Sequence, residues 1–203
     1  MRLIILLLIL GGVYYWQSGS SFSSFSNSFS ELKAGRSAPD DPVQKRLSIP
    51  KNMQFKNFIL SLHNSFEMKA LVLSKKNYSM DAEAKLSPTD LALGWGAMSN
   101  PAPLRTIKIT QGSRRYYFRY NSSPPISHRD IEIHSANMHI VPANDNVNNT
   151  LKKVKKGNVV HLKGYLIDAK RSDGWKWKSS RTRTDTKDGA CELFFVEKIS
   201  IIK

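Results

Sequence analysis

The stretch Gly157-Asn-Val-Val-His-Leu-Lys-Gly-Tyr-Leu-Ile-Asp168 decides our interpretation of the fold. In an extended chain, alternate side chains point to opposite faces, which places Val160 and Leu162 on one face and Val159 and Ile167 on the other. A segment that is apolar on both faces is typical of a strand in the middle of a sheet. We therefore predict that this stretch is a central strand.

Segments on either side of this strand extend the pattern. Cys191-Glu-Leu-Phe-Phe195 is apolar on both faces apart from Glu192, which predicts a second central strand. Trp175-Lys-Trp-Lys178 alternates aromatic and charged side chains, which predicts a strand with one face in water. Before the opening stretch, Val147, Leu151 and Val154 recur at helical spacing and predict a short helix.

Earlier segments complete the predicted fold. Leu104 to Thr110 and Arg114 to Tyr120 predict a hairpin, and Ser87-Pro-Thr-Asp90 has the cap, proline and acid of a helix start. About seven short strands with one or two short helices predict a mainly β fold, either a small barrel or a two-layer sheet. A helix followed by Gly-x-Val-Val-x-Leu-x-Gly favours an oligonucleotide/oligosaccharide-binding (OB)-like barrel, in which a glycine lets a strand bend.

The N-terminus predicts a membrane anchor. Residues 1–17 contain the apolar run Leu3 to Trp16, which ends in aromatic residues suited to the membrane interface. A cleaved signal peptide is the alternative, but no Ala-x-Ala-like cleavage site follows the run. Residues 18–54 are rich in serine and predict a flexible linker, so residues 55–203 are expected to form a single domain. Arg2 favours an N-terminus in the cytoplasm and a domain on the outer side.

The charge balance predicts an anionic partner. The chain has 31 Lys and Arg residues against 16 Asp and Glu residues, a net charge of +15. Such a balance favours nucleic acid, acidic lipid headgroups or anionic envelope polymers, while the alternative is that the charge only maintains solubility. The single cysteine, Cys191, excludes an intrachain disulfide, and no cofactor motif is present.

Histidine and cysteine occur in two arrangements that could support a metal site or catalysis. His128, His134 and His139 lie within twelve residues, but their spacing matches no familiar zinc motif, so no metal site is predicted. Cys191 follows a tight turn, and His139 or His161 could activate it as a nucleophile. A lone cysteine that opens an apolar strand is more commonly a small buried residue, so we do not predict catalysis.

A basic and aromatic surface is the predicted binding site. Its tryptophans could stack on bases or sugars while its cations contact phosphate, although core tryptophans behind a solvated lysine face are the commoner arrangement. The predicted binding residues are Trp175, Trp177, Lys176, Lys178, Arg181, Arg183, Arg115 and Arg119.

Three blocks of the sequence resemble a set of uncharacterised proteobacterial proteins. The blocks are Leu86-Ser-Pro-Thr-Asp-Leu-Ala-Leu-Gly-Trp-Gly-Ala-Met-Ser-Asn100, His134-Ser-Ala-Asn-Met-His-Ile-Val-Pro-Ala143 and Asp188-Gly-Ala-Cys-Glu-Leu-Phe-Phe-Val196. The resemblance spans residues 66–196 and implies a bacterial source, with one domain behind a membrane anchor. That family has no assigned activity, so the resemblance implies no catalytic residues.

Three functional hypotheses follow. The leading one is a non-enzymatic binding or accessory domain, held in the bacterial inner membrane by a single pass through residues 3–16 and exposed to the periplasm. It would bind an anionic polymer or a protein through its basic face. The first alternative is a nucleic-acid-binding OB-like barrel, and the second is a Cys/His hydrolase or transferase.

Overall fold

The computed structural model describes residues 35–121, 123–182 and 191–202, which form a mainly β fold with a large mixed sheet and short helices. The strands are β1 (Val43–Phe55), β2 (Phe58–Asn77), β3 (Thr89–Gly94), β4 (Lys108–Gly112), β5 (Arg115–Arg119), β6 (Ser135–Pro142), β7 (Val159–Lys170), β8 (Lys176–Trp177) and β9 (Glu192–Ile201). The helices are α1 (Pro101–Leu104), α2 (His128–Ile133) and α3 (Asp145–Lys153), with 3-10 turns at Ala82–Lys85 and Gly96–Ser99. The predicted mainly β class is confirmed.

The large sheet has the strand order β1-β2-β3-β6-β9-β7-β8. Strand β2 also pairs with β7, so the pairings pass from β2 through β3, β6, β9 and β7 and return to β2. Strands β6 and β9 run parallel, whereas the other neighbours are antiparallel. Strands β4 and β5 form a separate two-stranded sheet.

The length of β2 allows it to pair with β7 and β3 in addition to β1. The first part of β2 pairs with β7, and this pairing ends at Leu71, which lies opposite Val159. The last part of β2 pairs with β3, and this pairing begins at Leu71, which lies opposite Gly94. The alternation of Asn57 to Leu62 and of Phe66 to Ser74 predicts two separate strands in this part of the sequence. The structure instead has one strand with a register shift between Leu62 and Asn64, because a bulge bends a strand without ending it.

Gly164 permits close packing of β7 against β9. The register of this pair shifts between Lys163 and Gly164, and a Cβ at Gly164 would overlap the carbonyl oxygen of Phe195. A glycine is required wherever another backbone approaches this closely.

Three apolar clusters fill the domain. The first joins β2, β3, β6, β7 and β9 to α3, whose Val147, Leu151 and Val154 are buried as their helical spacing predicts. The second gathers the N-terminal half of β2 and the C-terminal half of β7, with Trp175 and Trp177 packed against it. The third lies between the β4–β5 hairpin, the 3-10 turn at Gly96–Ser99, α2 and parts of β2 and β3.

Two expectations from the sequence are corrected. Strand β1 begins at Val43, inside the range 18–54 for which the sequence predicts a linker, and continues to Phe55. It is mostly exposed and pairs with β2 at the sheet edge, while Leu47, Met53 and Phe55 pack against the second apolar cluster. The helix start predicted at Ser87-Pro-Thr-Asp90 is also wrong, because residues Thr89–Gly94 are the buried strand β3.

The predicted membrane anchor, residues 3–16, lies outside the described residues. Within the described ranges, none of the helices has both the length and the hydropathy needed to cross a bilayer.

Candidate functional site

The turn of the β4–β5 hairpin places a cation beside β3. Ser113 and Arg114 connect the strands with positive φ angles of 49° and 63°, the conformation of a two-residue type I′ turn. A left-handed conformation costs a non-glycine residue roughly 1–2 kcal/mol. The contacts of the Arg114 side chain offset this cost.

Arg114 binds two carboxylates and a carbonyl at once. Its Nε donates to Asp81 Oδ2 at 3.0 Å, and its Nη2 donates to Asp81 Oδ1 at 2.6 Å. Its Nη1 donates to Asp90 Oδ1 at 3.0 Å and to the carbonyl oxygen of Ser87 at 2.9 Å. This two-pronged arrangement suits a guanidinium, because its planar donors match a carboxylate.

Asp90 is the buried centre of this cluster. Its carboxylate has no solvent exposure, and its Oδ1 lies 2.9 Å from His139 Nδ1. The two residues are direct neighbours in the pairing of β3 with β6. Asp90 was not among the site residues predicted from the sequence. The sequence contained one signal for it: Asp90 directly precedes the apolar run Leu91-Ala-Leu93. A carboxylate buried in such a strand needs a cation or a hydrogen-bond donor as its partner.

Aromatic rings enclose the cluster. The Arg114 guanidinium carbon lies 3.7 Å from the ring centroid of Tyr78, a cation–π distance. The rings of His139 and Trp177 are 4.7 Å apart, and those of Trp177 and Trp175 are 6.0 Å apart. Both predicted tryptophans therefore pack inside the protein and are only partly exposed.

Cys191 has the environment of a protonated thiol. Its Sγ lies 3.8 Å from the carbonyl oxygen of Arg114, and burial raises the pKa of this thiol to about 11. His161, one of its predicted partners, lies instead 2.8 Å from Glu67 Oε1, while His139 faces Asp90. A nucleophilic cysteine requires a lowered pKa, so the geometry provides no activated thiolate.

The outer face of the hairpin is basic and carries an aromatic ring. Lys108 on β4 lies directly opposite Arg119 on β5, and Thr110 lies opposite Tyr117 in the next outward-facing pair. Lys108, Arg119 and Arg115 are exposed, and Tyr117 is 48% exposed. Like charges directly opposite each other destabilise a strand pair. An anionic partner would remove this repulsion.

The other predicted binding residues are separated from this face along the chain. Lys176 and Lys178 are exposed at β8, and Arg181 Nη2 donates to Asp168 Oδ2 at 2.5 Å. Arg183 lies outside the described residues.

The three histidines considered as metal ligands have different partners. His128 lies 3.2 Å from the Tyr120 hydroxyl, and His134 Nδ1 lies 2.9 Å from the carbonyl oxygen of Asp130. His139 belongs to the Asp90 cluster. Among the residues that the structure describes, no group of three or more His, Cys, Asp or Glu side chains is placed to hold a metal ion.

The chain matches no family model, no curated protein and no solved structure at a significant level. The functional interpretation therefore depends on the geometry of the hairpin and its cluster.

Proposed function

We propose that the chain is a non-enzymatic, membrane-tethered OB-like domain that binds an anionic polymer on the outer face of its β4–β5 hairpin. The cycle of pairings through β2, β3, β6, β9 and β7 supports the OB-like assignment. In chain order these are five strands, with α3 between the third and the fourth. A five-stranded barrel of Greek-key connectivity is the OB architecture.

The hairpin changes where a ligand could bind. OB barrels commonly bind on the face of their second and third strands, which here correspond to β3 and β6. That face is covered: Gln111 Nε2 donates to Asn137 Oδ1 at 2.7 Å, and the Tyr116 hydroxyl lies 3.1 Å from Ser135 Oγ. All residues of β3 and β6 are buried. These contacts favour a ligand on the outer face of the hairpin.

The observation that carries the proposal is the pair Lys108 and Arg119 beside Tyr117. Two cations face each other across the hairpin, and an exposed ring lies in the neighbouring pair on the same face. Cations contact the charges of a polyanion, and an exposed aromatic ring adds a surface for bases or sugars to stack on. Arg114 attaches the turn of this hairpin to Asp90 of β3, and a preorganised surface loses less entropy on binding.

The tether and the location belong to the same proposal. The apolar run at residues 3–16 would hold the protein in a bacterial inner membrane, with the domain in the periplasm. A reporter enzyme fused after Lys203 tests this orientation. Reporter activity confined to the cytoplasm would contradict it.

The binding test uses the full chain in neutral phosphatidylcholine nanodiscs, with fluorescent heparin as the polyanion. The double variant Lys108→Gln/Arg119→Gln should weaken binding and reduce the salt dependence of log K by about 1–2 units of slope. The matched control, Lys45→Gln/Lys51→Gln, removes two exposed charges from the edge strand β1. Equal loss in both double variants would show that binding follows net charge rather than this face.

A further inference from the structure

A cavity of about 450 Å³ opens on the solvent face of the large sheet, between two turns. One turn joins β1 to β2, and the other joins β7 to β8. The volume lies within the range of roughly 300–1,000 Å³ that is usual for small-molecule sites. The residues that line the cavity are Gln54, Asn57, Ile59, Lys170, Arg171 and Ser172.

The strand register aligns four side chains along this cavity. Gln54 of β1 lies opposite Ile59 of β2, and Ile59 in turn lies opposite Lys170 of β7. Lys170 then lies opposite Lys176 of β8. Directly opposite residues on paired strands share a face, so the four side chains form one row across the sheet. The row faces solvent, since all four side chains are exposed.

The row brings together two cations without counter-charges. Lys170 and Lys176 are direct neighbours, and among the residues that the structure describes neither amine has a carboxylate oxygen within 4.0 Å. Like charges directly opposite each other destabilise a strand pair. Arg171 differs, because its Nη2 lies 2.6 Å from Asp173 Oδ2, which balances its charge. A surplus of two positive charges therefore remains at the cavity.

The two turns that flank the cavity have fixed backbones. At the β1–β2 turn, Gln54 Nε2 donates to the carbonyl oxygen of Lys56 at 2.8 Å. At the β7–β8 turn, Arg171 N donates to the carbonyl oxygen of Trp175 at 3.0 Å, which closes the turn that contains Ser172. The guanidinium carbon of Arg171 also lies 5.4 Å from the ring centroid of Trp175. A binding surface held in this way loses less entropy when a ligand binds.

The chemistry of the lining favours a sugar phosphate. A phosphate monoester carries a charge of about −2 at neutral pH, which complements the two lysines. The amides of Gln54 and Asn57 and the hydroxyl of Ser172 can exchange hydrogen bonds with sugar hydroxyl groups. None of the described lining residues is aromatic, so a nucleotide base would have no ring on which to stack.

We propose that this cavity binds a sugar phosphate, with the phosphate between Lys170 and Lys176 and the sugar beside Gln54, Asn57 and Ser172. The ligand is either a free sugar phosphate or a phosphorylated sugar within a polymer, since both present the same groups. The site shares no residue with the β4–β5 hairpin, so it does not depend on the proposed polymer site.

The first test measures binding of labelled ribose 5-phosphate and glucose 6-phosphate to the full-length, detergent-solubilised protein by equilibrium dialysis. Ribose and inorganic phosphate should each compete at least tenfold more weakly than unlabelled ribose 5-phosphate, because each makes only part of the contacts. Adenosine monophosphate should compete no better than ribose 5-phosphate. A polymer that contains phosphorylated sugars and binds at least tenfold more tightly than both free sugar phosphates would identify the polymer as the source of the ligand.

Three results of this test would overturn the proposal. Neither sugar phosphate binds, or inorganic phosphate competes as well as ribose 5-phosphate, which would reduce the site to an anion patch. The third result is tenfold better competition by adenosine monophosphate, which would show a nucleotide site.

The second test removes the two cations. Lys170→Gln/Lys176→Gln should weaken binding of ribose 5-phosphate at least tenfold. This variant should unfold at the same temperature as the wild type or at a higher one, because it removes a like-charge pair, so lost binding would not reflect lost folding. The matched control, Lys152→Gln/Lys153→Gln, removes two exposed lysines at the end of α3 and should retain binding. Equal losses in both double variants would contradict the site.

The third test separates recognition of the sugar from recognition of the phosphate. Gln54→Ala/Asn57→Ala should weaken binding of ribose 5-phosphate roughly fivefold and leave the affinity for inorganic phosphate unchanged. Unchanged binding of ribose 5-phosphate would contradict the placement of the sugar.

The hairpin variant Lys108→Gln/Arg119→Gln separates this site from the polymer site. It should bind ribose 5-phosphate as the wild type does, even if its heparin binding is lost. Weaker binding of ribose 5-phosphate in this variant would contradict a separate site.

Discussion

Arg114 Nη1 lies 3.0 Å from Asp90 Oδ1, and the Asp90 carboxylate has no exposure to solvent. The pair connects the turn of the β4–β5 hairpin to β3, while the same guanidinium also binds Asp81. The hairpin is therefore attached at its tip by charge as well as by the apolar cluster along its inner face. Removing the cation would leave a buried carboxylate without its main charged partner.

Arg114→Gln should lower the free energy of unfolding by about 3 kcal/mol or more, because the buried Asp90 carboxylate would lose its compensating charge. Urea denaturation of the detergent-solubilised protein measures this loss. The control is Arg119→Gln, which removes an exposed arginine from the same hairpin and should change stability by about 0.5 kcal/mol or less. Similar effects of the two substitutions would contradict a specific role for the Arg114 cluster.

Asp81 should make part of the stability depend on pH. The hydrogen bond from Arg114 holds the pKa of this carboxyl below its ordinary value of 3.8. A group with a lowered folded pKa contributes stability that is fully present above its unfolded pKa and is lost as pH falls through the folded pKa. Wild type should thus be more stable than Asp81→Asn at pH 7, and the difference in urea midpoint should shrink below pH 3.8. A constant difference from pH 7 to pH 2.5 would exclude this linkage.

Gly164→Ala should destabilise the domain by about 1–3 kcal/mol, because the new Cβ must displace the backbone of Phe195. Gly112→Ala is the matched control in β4, where a Cβ would meet no atom within 4 Å. The midpoint temperature of thermal unfolding should be clearly lower for Gly164→Ala than for Gly112→Ala. Equal midpoints would mean that β7 and β9 can move apart without cost.

Cys191 should react slowly with iodoacetamide. Burial raises the pKa of this thiol from 9.0 to about 11, which lowers the thiolate fraction at pH 8 about 100-fold. Alkylation should accelerate by about this factor once urea unfolds the chain. Cys191→Ala should leave heparin binding intact. Rapid alkylation of the folded protein would instead reopen the hypothesis of a Cys/His enzyme.

Tyr117 should distinguish nucleic acid from other polyanions. If bases stack on this ring, Tyr117→Ala should weaken oligo(dT) binding by about 1–3 kcal/mol while Tyr117→Phe retains it. Heparin has no bases, so its affinity should change less. Equal losses for both ligands would show that the ring only supports the backbone of the polymer.

Local patterns predicted most of the strands and the main helix. Each of these predictions depends only on residues close together in the sequence. The patterns were the alternation in β7, the apolar run in β9 and the helical spacing of Val147, Leu151 and Val154. The helix start at Ser87-Pro-Thr-Asp90 failed because Asp90 is placed by distant partners. Arg114 lies 24 residues away, and buried contacts with it and with His139 outweigh the local capping preference.

The candidate site was less predictable than the fold. Lys108, Tyr117 and Arg119 become one surface only when β4 and β5 pair, and the hairpin pattern contained that information. The cluster of Arg114, Asp81, Asp90 and His139 joins four separate segments, so spacing along the chain could not reveal it. The position of Trp175 and Trp177 could not be predicted from the sequence either. Their alternation with lysines is compatible both with an exposed stacking surface and with rings packed against the second apolar cluster, which is what the structure has.

The return of the pairings from β7 to β2 has a consequence for folding kinetics. Leu71 must meet Val159, 88 residues later in the chain, and β6 can obtain its second partner only from β9. Such distant pairings give a high contact order, so the hairpins β1–β2 and β4–β5 should form long before the large sheet is complete. Until β9 inserts, the apolar edge of β6 remains open to other chains. The slowest step of folding is therefore also the step at which aggregation competes most strongly.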